Sequence, residues 1–293
     1  MAATTILANH TDLTQIIAMS LCHTSLHNRA VIRISGEARA DFLQNLVTQN
    51  IDHCTPGTCH MAALLTPQGK LAFDFLIYAQ DEAYLLECDA SIVDALVKRL
   101  TLYKLRAKVE IETTALKVFA IWDPDAACAD QTGFHRDPRH QALGLRGLFD
   151  TAPEFSMPLS EAANWHDFRL QLGVPEGAAD MPYGKIFPLE FGLNEMAGVD
   201  FQKGCFIGQE VTSRTHRKGQ LRKKLWPLAF GAAHPAIGTP IVLQNNPERQ
   251  VGEIVGGAKT RALGLIREDA LAEALICDGA SFERTAGLFS PAA

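Results

Sequence analysis

The stretch Lys203-Gly204-Cys205-Phe206-Ile207-Gly208-Gln209-Glu210 sets one cysteine between two glycines, just ahead of a segment with sorted charge. Only a thiolate is a good nucleophile or soft-metal ligand. A nearby cation or a helix start lowers the thiol pKa from its usual ~8.5. Lys203 and a helix beginning after Gly208 are the groups expected to do this for Cys205, which makes it the candidate reactive residue. Gly204 and Gly208 are expected to let backbone N–H groups approach a ligand closely. For the following segment, Glu210 falls in the first turn of a helix and His216, Arg217 and Lys218 in its last, with Gly219 as a left-handed stop. Val211 to Thr215 also alternates as a strand would. The charge order and the Glu210–Arg214 spacing favour the helix.

A second candidate lies in an apolar run. Alternation from Lys70 to Tyr78 puts Leu71, Phe73, Phe75 and Ile77 on one face of a strand and Ala72, Asp74, Leu76 and Tyr78 on the other. Asp74 is the only acid in that strand. Buried without a partner it costs several kcal/mol or changes its pKa; the alternative is a position facing solvent. A third candidate is His53-Cys54-Thr55-Pro56-Gly57-Thr58-Cys59-His60, whose cysteines and histidines invite a metal. A zinc site needs about four converging ligands, usually as two spaced pairs, and no second pair follows downstream. The Pro56-Gly57 pair reads as a turn, so no metal is expected here.

The octapeptide around Cys205, with its basic tail, resembles the signature of the YgfZ-type folate-binding proteins. These include the mitochondrial factor that helps mature 4Fe–4S enzymes, and they are similar in fold to the T-protein (aminomethyltransferase) of the glycine cleavage system. The resemblance runs from about Leu26 to the C-terminal region. It implies an α+β cloverleaf of two intertwined lobes around a central folate cavity, followed by a small β-barrel, divided here as 26–220 and 221–293. It also implies tetrahydrofolate or a related folate as cofactor and iron–sulfur client or assembly proteins as partners. Asp74 aligns with the T-protein acid that faces the folate, Tyr78 with a tyrosine of the folate pocket, and Phe73 stands where the T-protein has a further acid. Arg169-Leu170-Gln171-Leu172-Gly173 resembles a segment whose glutamate accepts two hydrogen bonds from the pterin. Gln171 offers one acceptor oxygen and a donor nitrogen instead. Thr48-Gln49-Asn50 replaces the Thr-Asn-Asp of the related element. Arg214 and its basic neighbours are the expected contacts for the glutamyl carboxylates.

Two functions from different classes follow. One is a tetrahydrofolate-binding accessory factor in iron–sulfur protein maturation that uses Cys205. The other is a folate-dependent aminomethyl or one-carbon transferase, with Asp74 acting electrostatically or as a base. Phe73, Gln171 and the presence of Cys205 favour the accessory factor. A scaffold that only contacts client proteins is a third reading.

Composition bounds these readings. The 293 residues are 47% hydrophobic with formal net charge −6, so cores are ample and nothing general points to nucleic acid. The basic run Arg214 to Lys224 is the local exception and could hold an anionic tail. Seven cysteines without the density of a secreted scaffold suit a reducing compartment. No signal-peptide order is present, Asp12 argues against a transit peptide, and no apolar run has spanning length. The expectation is a cytoplasmic protein, or the mature form of an organellar one, with no membrane partner.

The elements that must position these residues are read from periodicity. Residues 1–25 read as an irregular lead-in with only Leu13, Ile16 and Ile17 in pattern. Strands are expected at Ala30–Ile34, Met61–Leu65, Lys70–Tyr78, Tyr84–Glu87, Lys108–Thr113, Leu116–Trp122 and Leu143–Phe149. Helices are expected after Gly36, over Ser91–Leu105 and from Ser160 to Leu172. Asp123–Arg139 reads as a loop. Short strands at Leu225–Phe230, Pro240–Leu243, Val251–Val255 and Ala262–Ile266 suggest the barrel.

Overall fold

In the computed structural model, which describes residues 21–290, the chain runs in order through β1 (Cys22–Ser25), β2 (Arg29–Ser35), α1 (Arg39–Gln44), β3 (Cys59–Leu65), β4 (Leu71–Ala79), β5 (Ala83–Asp89) and α2 (Val93–Lys104). It continues through β6 (Glu110–Thr113), β7 (Lys117–Trp122), β8 (Phe134–Arg136), β9 (Leu145–Phe149), α3 (Ala162–Gln171), α4 (Gly177–Asp180) and α5 (Gln209–Lys218). Six strands close the chain: β10 (Lys223–Phe230), β11 (Pro240–Leu243), β12 (Asn246–Ala258), β13 (Arg261–Arg267), β14 (Leu275–Cys277) and β15 (Ala280–Arg284). Leu13, Ile16 and Ile17 lie outside the described residues.

Three sheets organise this α+β chain. One has the order β3-β4-β5-β2-β6 and another β1-β7-β9-β8, while β10-β13-β12-β11-β14-β15 forms a closed barrel. Closure removes the exposed edges that a six-stranded sheet would otherwise present. The five-stranded sheet is the wall that matters for function. All nine residues of β4 are buried, because both faces are covered. Phe73, Phe75 and Ile77 pack with Leu43, Leu96 and Leu100 of α1 and α2. Leu76 and Tyr78 pack into the core shared with Trp122, Trp165 and the segment from Leu189 to Val199.

Several expectations need revision. The lead-in ends in a strand: β1 pairs antiparallel with β7, Cys22 opposite Trp122. Within the expected loop Asp123–Arg139, β8 pairs with β9; at three residues it is too short to show a period. Strands β14 and β15 also escaped detection, because each is held by pairing across the barrel more than by its own pattern. Alternation along β4 slips at its start, where the register with β3 shifts between Leu64 and Leu65. Leu71 therefore joins the inter-sheet core and Ala72 the opposite one. Among the described residues no helix is long and apolar enough to cross a membrane.

Candidate functional site

Asp74 sits opposite Ala63 in the β3–β4 pair and is buried. Its carboxyl accepts a hydrogen bond from the Tyr183 hydroxyl. Burial pushes the Asp74 pKa up, and the nearby Arg29 and the Tyr183 hydrogen bond offset this only in part. Four residues on, the Tyr78 hydroxyl donates to Glu87 Oε2 at 2.8 Å. Glu87 in turn accepts from Arg29 Nε at 2.8 Å and Arg146 Nη1 at 2.6 Å. Arg146 Nη2 and Arg139 Nη1 both donate to Glu176 Oε2, at 2.7 and 2.8 Å. Arg139 also grips Asp137 through Nε and Nη2, at 2.9 and 2.6 Å. Burial works against the Glu176 carboxylate, but Arg146, Arg139 and Arg29 hold it well below the usual range. Three guanidinium groups thus meet three carboxylates between the two open sheets. Buried charge is tolerated because each is paired and hydrogen-bonded.

Tyr78 thus enters the charge network through Glu87, whereas Asp74 is held by the Tyr183 hydroxyl and feels Arg29 only through its charge; neither carboxyl nor phenol hangs free. Gln171 is not part of this group: it is the exposed last residue of α3. The acid near Asp74 is instead Glu176, five residues later, beyond the left-handed Gly173. Glu87, Arg146 and Glu176 were missed in the sequence. The first two obey the rule that singled out Asp74, a lone charge in an apolar strand (Leu85-Leu86-Glu87-Cys88, Leu145-Arg146-Gly147-Leu148). Tyr183 and Glu176 lie in loop sequence with no such signal.

The cysteine loop is built differently. Asp200 Oδ1 accepts from the backbone N–H of Gln202 and Lys203, at 2.7 and 3.2 Å, which turns the chain into the motif. The Lys203 ammonium then points inward, donating to the carbonyls of Gln44, Val47 and Gln49 at 2.8, 2.8 and 2.7 Å. It caps the end of α1 and the turn beyond it. The expectation that Lys203 stabilises a Cys205 thiolate is therefore not met: all three of its N–H bonds are committed elsewhere. Burial brings the Lys203 pKa down to about 8, which leaves it mostly protonated at neutral pH. Thr48 and Gln49 stitch the same corner together, Thr48 Oγ1 to Gly198 O at 2.6 Å and Gln49 Nε2 to Ala197 O at 2.8 Å.

Phe206 is buried, and Gly208 has φ +79°, with a Cβ there falling 2.6 Å from Thr66 O. Gly208 is thus required by the close approach of the β3–β4 turn. Beside Gly204, by contrast, lies open space. Between these anchors Cys205 projects outward. It is the one exposed cysteine of the seven. Burial lifts the other thiols, Cys22 and Cys277 to about 11, Cys54 and Cys88 to about 12, and Cys59 and Cys128 upward as well. The α5 helix starts at Gln209 as the charge order required, and Gly219 ends it with φ +65°. Arg214 is exposed on it.

His53, Cys54, Cys59 and His60 do not converge. His53 is exposed and lies 3.6 Å from Asp200, whereas Cys54 is buried with its thiol on Asn50 O at 3.6 Å. Cys59 and His60 open β3 beyond a turn at Pro56-Gly57. Among the described residues no group of three or more His, Cys, Asp or Glu side chains has metal-binding geometry.

Two cavities flank the buried charges. One of about 470 Å³ is walled by Tyr78, Leu85, His135, Leu148 and Phe149. The other, about 620 Å³, lies between the barrel and the segment after α4, with Ile186, Ile254, Val255 and Leu265 as apolar wall, Lys185, Arg222 and Lys223 as cations and Glu190 and Glu253 as acids. Pro182 and Lys185 of its lining flank Tyr183, the partner of Asp74, and this segment is tied to the start of β4 by Gly184 N–H to Leu71 O at 2.7 Å. Arg214 does not line it.

Two open sheets joined by a charged interior, followed by a closed barrel, define an aminomethyltransferase-like fold. The architecture is similar to the glycine cleavage system aminomethyltransferase T from Bartonella henselae, with TM-score 0.68 over 94% of this chain and 88% of that one at 11% identity. Residues 222–286 match the family described as the CAF17 C-terminal beta-barrel domain. The Mus musculus protein named iron-sulfur cluster assembly factor IBA57, mitochondrial, is 34% identical over 281 residues, 84% of this chain and 77% of that protein. Its Homo sapiens counterpart is 36% identical over 240 residues, 73% of this chain and 67% of that protein. The chain belongs to the IBA57 family. Because these relatives are named mitochondrial, the cytoplasmic expectation has no support from them.

Proposed function

We propose that this chain is a folate-binding iron–sulfur cluster assembly factor whose working group is the Cys205 thiol. The carrying observation is that Cys205, within the family motif, is the one cysteine the fold presents to solvent. One thiolate cannot hold a 4Fe–4S cluster by itself, since such clusters take four cysteine ligands. Cys205 therefore acts together with groups on a client or assembly protein.

The cavity of about 620 Å³ is the place for the folate. Its volume lies in the usual range of ~300–1,000 Å³ for small-molecule sites, and an apolar wall suits an aromatic body, with three cations against the two carboxylates of Glu190 and Glu253 to meet its own acids. Lys185, Arg222 and Lys223 take the part that the sequence assigned to Arg214. The transferase reading fares worse on chemistry. That reading needs Asp74 turned towards the reacting folate, whereas its buried carboxyl accepts from the Tyr183 hydroxyl and Gln171 lies exposed at the end of α3.

Two measurements test this reading. Tetrahydrofolate titration of the purified protein should saturate, and Ile237→Trp, at the exposed rim of the cavity, should weaken binding at least about tenfold, ~1.4 kcal/mol. Cys205→Ser should fold and bind folate, yet fail to restore iron–sulfur enzyme activity in cells lacking the protein. Full complementation by the serine variant removes the thiol from the function.

A further inference from the structure

Helix α5 carries more than the motif's stop signal. Arg214, Arg217 and Lys218 share one face of it, at spacings of three and four residues, and all are exposed. Among the described residues no carboxylate forms an ion pair with any of them. Like charges at such spacings cost a helix about 0.2–0.5 kcal/mol per pair, which offsets much of what Arg217 and Lys218 gain from the dipole at the last turn. It also stands out in a chain of formal net charge −6. Beside it lies a recess of about 460 Å³ lined by Phe201, Gln209, Glu210, Ser213, His216 and Arg217. Its aromatic element is a parallel stack of Phe201 on His216, ring centres 3.7 Å apart and planes 10° apart. The helix begins four residues after the exposed Cys205. At 1.5 Å rise per residue the cations stand within about 15 Å of its first turn.

We propose that this face docks an acidic protein partner. Its carboxylates meet Arg214, Arg217 and Lys218, an apolar or aromatic side chain fills the recess beside the Phe201–His216 stack, and Cys205 is thereby brought against the partner. The proposal rests on the assembly-factor reading for the partner's identity but not for the surface itself. An apolar anchor next to desolvated arginines is the usual make-up of an interface hot spot. The negative net charge disfavours non-specific contact with an acidic partner, so a local cluster of cations fixes orientation as well as affinity.

The test places a photo-crosslinking amino acid at Ser213 in the full chain, in cells, and identifies what it captures. The captured protein is then purified and titrated against the wild type and against Arg214→Glu/Lys218→Glu. Expected are a partner whose crosslinked segment is rich in Asp and Glu, an affinity falling at least about tenfold between 50 and 300 mM NaCl, and a similar loss in the charge-reversed variant. That variant should keep its melting temperature and tetrahydrofolate binding. Exchanging the partner's acids for lysine should restore binding to it. Crosslinking only to a second copy of this chain, affinity insensitive to salt and reversal, or competition by polyglutamylated tetrahydrofolate each overturns the proposal. A salt-sensitive acidic partner with no connection to iron–sulfur proteins upholds the surface and removes the assembly-factor reading.

Discussion

Polar groups in this protein are arranged in two opposite ways. Between the open sheets, Arg29, Glu87, Arg146, Glu176, Arg139 and Asp137 are each paired with an opposite charge and buried, although Arg29 Nη1, Arg146 Nε and Glu176 Oε1 make no hydrogen bond among the described residues. Around the motif, Cys205 and the cations of α5 are exposed and unmatched. A charge that finds its partner inside the chain has an architectural task. A thiol or charge left without one, at the tip of a rigidly anchored loop, is available to another molecule. The buried set therefore explains how the two sheets stay in register, and the exposed set how the protein meets something else. Lys203 belongs to the first kind although it lies in the motif of the second.

The comparison breaks first where the energies are largest. Glu176→Gln leaves Arg139 and Arg146 buried without their shared counter-charge and should destabilise by about 3–5 kcal/mol at pH 7 in urea unfolding. Its pH dependence has a definite sign. The folded pKa of Glu176 is depressed, so its contribution is present above the unfolded value of 4.5 and is lost as pH falls through the lower folded value. The deficit of the variant should accordingly shrink towards pH 3. An equal deficit at both pH values would show that the glutamate is held for shape and not for charge.

Thiol labelling sharpens the contrast from the other side. Buried thiols react only after local opening, so iodoacetamide at neutral pH should modify Cys205 at least about 100-fold faster than Cys54 or Cys88. Peptide mass spectrometry reads this directly, and comparable rates would place Cys205 among the structural cysteines. Lys203→Met comes next. It leaves three buried carbonyls short of a donor and should cost about 2 kcal/mol. Labelling of Cys205 should change little in rate, because the lysine does not touch the thiol; a sharp fall in reactivity would restore the electrostatic role expected from the sequence.

The smallest effect concerns Asp74. Its folded pKa is raised, so ionisation costs stability as pH rises from the unfolded 3.8 through the folded value. Asp74→Asn keeps an acceptor for Tyr183 and removes that cost. It should change stability by under about 1 kcal/mol, in its favour, with the gain growing as pH rises above 3.8 and levelling off once pH passes the folded value. A loss of several kcal/mol would mean that the ionised carboxylate is part of the charge network.

Much of this was legible in the chain. The sorted charges of Glu210 and His216 to Lys218, closed by Gly219, fixed α5, because helix ends are governed by local dipole and capping physics. The Pro56-Gly57 turn, the β3–β4 hairpin and most of the open-sheet strands were legible for the same local reason. Motif identity marked Cys205, and a lone acid in an apolar strand marked Asp74 as a residue in need of a partner. Which partner was decided elsewhere. Tyr183 meets Asp74 across 109 residues, Arg146 meets Glu87 across 59 and Glu176 meets Arg146 across 30, distances that no periodicity spans. Only the tertiary structure turned Lys203 inward, left Gln171 at the surface and Cys205 alone in solvent, because burial is a property of the packed whole and not of the residue or its neighbours in sequence.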